Sequence, residues 1–199
     1  MTRAAFLLSL GSLAGAAQLL VTGEASDGYK SLFNGRDLGQ WTGDQQRWKA
    51  ERGVLTGTSG GESVSALVLG GREFGDFELR FDLRVMHGAG GVQMRGPGMG
   101  PLGVELEVGA STACALTITL CVQWIINGAP FVIVSSVQPG EWNTYRVVCK
   151  GSTFDVFLNE RSTAYRIVAG HNTPRGKLWL VMPAGAPSDI EFRNIRLKE

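Results

Sequence analysis

The sequence predicts an all-β domain, a jelly-roll sandwich of two antiparallel sheets. Three observations point there. Apolar and polar residues alternate over several short stretches, the period of a strand with one face on a core and one in solvent. Glycine is abundant, with 28 of 199 residues, as tight turns between many short strands require. Runs of Ala, Leu, Glu and Lys that would build helices are missing after residue 22.

The clearest strand is Phe77 to Val85. Phe77, Leu79, Phe81, Leu83 and Val85 share one face, and Glu78, Arg80, Asp82 and Arg84 the other. Tyr145 to Lys150 and Thr153 to Asn159 alternate likewise, and Lys150-Gly151-Ser152 joins them as a hairpin. Trp48 to Glu51 and Val54 to Thr58, linked by Arg52-Gly53, predict another. Further strands are expected at Val64 to Leu69, Gly91 to Arg95, Val104 to Val108, Ala115 to Ile126, Phe131 to Val137, Lys177 to Met182 and Ile190 to Leu197. Asn127-Gly128 between two apolar runs is a hairpin signal, because both residues tolerate positive φ. About twelve short strands at this spacing fit two packed sheets. No linker, repeat or charge run divides residues 29–198, so one domain is expected.

Arg3 followed by the apolar run Ala4 to Val21 reads as an export signal within residues 1–25, with small residues for cleavage at Ala14-Gly15-Ala16 or Gly23-Glu24-Ala25. The expected location is therefore periplasmic or extracellular. An uncleaved membrane anchor is the alternative, since the run approaches the ~18–20 residues that span a bilayer. A net charge of +1 gives no reason to invoke nucleic acid. Three cysteines, Cys114, Cys121 and Cys149, leave at least one thiol unpaired, and buried thiols acting as small hydrophobes are expected.

Motifs of the common enzyme classes are missing: no Gly-x-Ser-x-Gly elbow, no phosphate loop, no His-Glu-x-x-His. The histidines, His87 and His171, sit in apparent loops. The best constellation is Gly91-Val92-Gln93-Met94-Arg95 followed by Val104-Glu105-Leu106-Glu107. Alternation puts Gln93 and Arg95 on one face, and Glu105 and Glu107 on one face, ~6.5–7 Å apart along their strand. That separation suits two carboxylates cooperating in glycoside cleavage, with Arg95 holding a substrate oxygen or tuning a carboxylate. Ordinary polar alternation on a solvated sheet explains the same spacing. Trp41, Trp48, Trp124 and Trp179 could stack on sugars or fill the core, and Trp124, beside Gln123, is the candidate taken as substrate-binding.

Five phrases in order carry a family resemblance: Leu32-Phe33-Asn34-Gly35-Arg36-Asp37-Leu38 with Trp41; Gly75-Asp76-Phe77-Glu78-Leu79; Gly91-Val92 with Arg95 ahead of Glu105; Gly140-Glu141-Trp142-Asn143; and Phe192-Arg193-Asn194-Ile195-Arg196. From Leu32 to Lys198 the chain resembles the 3-keto-disaccharide hydrolase domain, a concanavalin A-like family. In that family Ser-Gly-Ile-x-x-Arg precedes Glu-x-Gln-x-x-Asp on the concave face. Here Gly91, Val92, Arg95 and Glu105 match, while Glu107 and Ala110 stand for the Gln and the Asp. Leu180-Val181-Met182-Pro183 stands where the family often has Leu-Gln-x-His.

The resemblance implies a secreted carbohydrate-active protein that cleaves 3-keto-glycosides by proton abstraction next to the ketone. Glu105 is then the base, Arg95 the enolate or substrate clamp, and Glu107, Gln93 and Trp124 substrate contacts. The alternative is a non-catalytic carbohydrate-binding module on the same fold. A laminarinase-type glycosidase ranks last, because Glu105 to Ala110 lacks the Asp and final Glu of Glu-x-Asp-x-x-Glu. No organic cofactor is expected. A divalent cation is compatible with this face, but too few ligands are present to assign one.

Overall fold

The computed structural model describes residues 27–96, 98, 104–109, 120–126, 129–137, 140–168 and 174–199, with 120–126, 129–136 and 161–168 as backbone alone. The expected signal at 1–25, the turn Asn127-Gly128, and Ala110, Cys114 and His171 lie outside these residues. The described strands are β1 Lys30–Ser31, β2 Trp41–Gly43, β3 Trp48–Glu51, β4 Val54–Ser59, β5 Ser65–Leu69, β6 Phe77–His87, β7 Ala89–Gly96, β8 Val104–Gly109, β9 Leu120–Ile126, β10 Ala129–Val137, β11 Asn143–Lys150, β12 Thr153–Leu158, β13 Arg161–Val168, β14 Lys177–Met182 and β15 Ser188–Lys198. All pairings are antiparallel, in two sheets. One runs β13-β12-β11-β6-β15-β4-β3, with β1 beside β15; the other runs β10-β9-β8-β7-β14-β5-β2.

Alternation decides which side chains meet between the sheets. Leu79, Phe81, Leu83 and Val85 of β6 pack with Val92 and Met94 of β7, Leu106 and Val108 of β8, and Leu178, Leu180 and Met182 of β14 in one core. Phe81 stacks on Tyr145 at 5.2 Å between ring centroids and lies 5.9 Å from Phe192. A buried aromatic so placed contributes several kcal/mol, and truncation to Ala typically costs about 3–5 kcal/mol. Cys149 is buried beside Met94, 3.9 Å between sulfurs, and behaves as the small hydrophobe expected of it. Trp41 and Trp48 also belong to the core. Their Nε1 groups donate to the Leu32 carbonyl oxygen at 2.9 Å and to Ser65 Oγ at 3.0 Å, which satisfies each buried indole.

The β3–β4 and β11–β12 hairpins form as expected. Arg52 and Gly53 both take positive φ, 51° and 82°, the conformation a two-residue turn requires between β3 and β4. Asn194 takes φ 53°, and the register of β15 against β6 slips between Arg193 and Arg196. This bulge lets Phe192 and Ile195, three residues apart, both point inward, and both side chains are buried. Asn143 Nδ2 donates to the Glu141 carbonyl oxygen at 3.2 Å, while Trp142 lies under the guanidinium groups of Arg84 and Arg193.

Three strands were not anticipated: β1 and β2, too short for any periodicity to show, and β13, which pairs with β12. Among the described residues no helix is long and apolar enough to cross a membrane.

Candidate functional site

Gln93, Glu105 and Glu107 gather on the face of the β7–β8 pair turned away from the other sheet. Their neighbours Val92, Met94, Leu106 and Val108 fill the core, so strict alternation sends the polar side chains outward. Register completes the arrangement. Gln93 stands opposite Glu105, and Gly91 opposite Glu107. A Cβ at Gly91 would lie 2.0 Å from the Leu106 carbonyl oxygen, so only glycine lets β7 approach β8 at that point.

An outward sheet face normally meets water, yet this one is recessed. Gln93 and Glu107 are 4% and 7% exposed. Glu105 keeps some exposure, but its Oε1 is buried with no hydrogen-bond partner among the described residues. Burial, reinforced by the charge of Glu107, pushes the Glu105 carboxyl up from about 4.5 to about 7. The outer face of the other sheet provides the contrast: there Glu78 is met by Tyr29, Arg80 and Arg146, and its pKa is lowered despite burial. A carboxyl that titrates near neutrality, with an uncommitted oxygen, can exchange a proton at little cost.

Arg95 requires a correction. Alternation predicted it beside Gln93, but its φ is +56°, and the β7–β14 register slips at this point. The side chain therefore turns inward, 1% exposed. Nε donates to the Gly75 carbonyl oxygen at 2.8 Å, Nη1 to that of Gly151, and Nη2 to Asp76 Oδ1 at 3.1 Å. Its guanidinium carbon also lies 5.2 Å from the Phe154 ring centroid and 5.8 Å from that of Phe77. Arg95 is committed to joining the two sheets and does not share the face of the glutamates. Trp124 stands in register with Leu106, one residue out of step with both glutamates, whose partners are Ile125 and Gln123.

Trp179, one of four tryptophans that the sequence left open between sugar stacking and core, was passed over in favour of Trp124. Trp179 stands opposite Gln93 on one side and Val68 on the other, and packs with Ala66, Val68 and Val181 as an outer cluster separate from the core. Its Nε1 is buried without an acceptor among the described residues. Inside the apolar run Leu178 to Met182 only parity distinguishes it. No group of three or more His, Cys, Asp or Glu side chains able to hold a metal is found among the described residues.

Two recessed carboxylates, Glu105 and Glu107, therefore lie side by side on the outer face of a jelly-roll sheet. Residues 28–198 match the model of the 3-keto-alpha-glucoside-1,2-lyase-like domain, and the chain belongs to that family. No curated protein matches it. Among solved structures it is similar to a candidate glycosyl hydrolase from Parabacteroides distasonis, with a TM-score of 0.67 and 21% identity over 90% of this chain and 97% of that one. It is also similar to the carbohydrate binding module CBM66 from Bacillus subtilis, with a TM-score of 0.58 and 16% identity over 80% and 96% of the two chains. These likenesses establish the shared jelly-roll fold.

Proposed function

We propose that this domain acts on 3-keto-glycosides, with Glu105 as the base that opens the reaction. The observation that carries the reading is the Glu105 carboxyl itself, recessed, with an oxygen that has no hydrogen-bond partner among the described residues, and held at about 7 by burial and by Glu107. A ketone at sugar carbon 3 acidifies the proton on carbon 2, so a base of this strength suffices. Glu105 takes that proton, and the C–H electron pair moves toward the carbonyl oxygen as an enolate. Collapse of the enolate turns the single bond between carbons 1 and 2 into a double bond and breaks the bond from carbon 1 to the glycosidic oxygen. The leaving oxygen departs with its electron pair and takes a proton, from protonated Glu105 or from water. Water adding across the new double bond would complete a net hydrolysis.

Gln93, opposite Glu105, is placed to hold a sugar oxygen, and Glu107 provides a second polar contact while keeping Glu105 basic. Arg95 has no part in the chemistry and acts by fixing the end of β7. The export expected from residues 1–25 would put the domain where exogenous glycosides are met. Glu105→Gln preserves shape and removes the base, so release of aglycone from a 3-keto-glucoside should fall by about 10²-fold or more. Undiminished release would refute the assignment.

A non-catalytic carbohydrate-binding module is the second reading, favoured by the apolar cluster around Trp179 and by the fold likeness to CBM66. It predicts glucoside binding with no aglycone release from any 3-keto substrate.

A further inference from the structure

The recessed outer face has two halves of different chemistry. Gln93, Glu105 and Glu107 occupy β7 and β8, while Trp179, Val181, Ala66 and Val68 occupy β14 and β5. Register runs unbroken across the join, Val68 to Trp179 to Gln93 to Glu105 in one row and Ala66 to Val181 to Gly91 to Glu107 in the next. Trp179 is thus two strands from Glu105, roughly 9–10 Å at ordinary strand spacing. A sugar ring seated against the carboxylates has the indole as its neighbour along this row.

Outward positions of a sandwich usually carry polar side chains. Here four adjacent ones are apolar and carry no charge. Trp179 Nε1 is buried with no acceptor among the described residues, and an unsatisfied buried donor is costly until something accepts from it.

We propose that this apolar half is the leaving-group subsite and that it selects glycosides with a flat, aromatic aglycone linked through oxygen. The inference rests on the reading of this face as the glycoside site. An aromatic ring lies against the exposed edge of Trp179, which is 9% exposed, and its linking oxygen offers Nε1 an acceptor. A second sugar would also stack on the indole, but its hydroxyls would be buried against Ala66, Val68 and Val181, which offer no hydrogen bond.

The test is calorimetric binding of phenyl α-glucoside and methyl α-glucoside to the full chain, neither of which can turn over. The phenyl compound should bind about 10-fold tighter or more. Trp179→Ala should reduce that ratio to near one, and Trp179→Phe, which keeps a ring, should retain most of it. Equal affinities for the wild type, a preference that survives Trp179→Ala, or binding of neither glucoside would each overturn the proposal. The two readings fail separately: aglycone release without aryl preference removes only this subsite, and aryl preference without release removes only the role of Glu105.

Discussion

Arg95 Nε donates to the carbonyl oxygen of Gly75 at 2.8 Å. Because Nη1 and Nη2 reach Gly151 and Asp76, one side chain of the seven-stranded sheet ties the start of β6 to the turn between β11 and β12 in the other sheet. The Gly-Asp-Phe phrase is therefore read structurally: Asp76 Oδ1 also accepts from the Gly151 amide at 2.8 Å.

Arg95→Met should accordingly destabilise the fold by about 2–4 kcal/mol, since two backbone carbonyls lose a charged donor. Urea denaturation measures this. An unchanged midpoint with lost turnover would instead return Arg95 to the catalytic role that its sequence position suggested.

The Phe-Arg-Asn-Ile phrase makes a similar prediction. Asn194 Nδ2 donates to Asp82 Oδ2 at 2.7 Å, and Arg193 Nε to the same oxygen at 3.0 Å. Asn194 holds a left-handed backbone that a residue with a Cβ and no local hydrogen bond resists. Asn194→Ala should cost about 1–3 kcal/mol, and Asn194→Gly, which relieves the backbone, should cost less. The ranking of their melting temperatures checks this, and the reverse order would contradict the account of the bulge.

Alternation made most of the fold legible. Phe77 to Val85 announced its own inward face, and Val104 to Glu107 its outward carboxylates. It failed where the backbone departs from a regular strand. Arg95 adopts positive φ without the Gly or Asn that would signal it, so parity assigned its side chain to the wrong face. Trp179 was hidden for the opposite reason: Leu178 to Met182 is apolar on both faces, and only the partner strands reveal which residues face outward. The recess that raises the Glu105 pKa depends on packing around the whole face, which no local pattern encodes.

The raised pKa has a consequence for stability. Glu105 binds its proton more tightly when folded, near 7, than when unfolded, near 4.5. Between those values the folded state holds the extra proton, so stability is fully present below about pH 4.5 and falls as the pH rises to 7. Glu105→Gln should remove this loss. The variant should exceed the wild type by on the order of 3 kcal/mol at pH 8, with the gap closing toward pH 4.5. Parallel curves of urea midpoint against pH would contradict the burial of this carboxyl.

The central claim is that Glu105 takes the proton, and the pH profile of aglycone release from a 3-keto-glucoside tests it most directly. For the wild type, kcat/KM should rise through an apparent pKa near 7. Glu107→Gln removes the like charge and should move that rise to lower pH. Glu105→Gln should abolish it and lower release by about 10²-fold or more on the plateau. A profile flat from pH 5 to pH 9, or a Glu105→Gln variant with wild-type kcat/KM, would contradict the account.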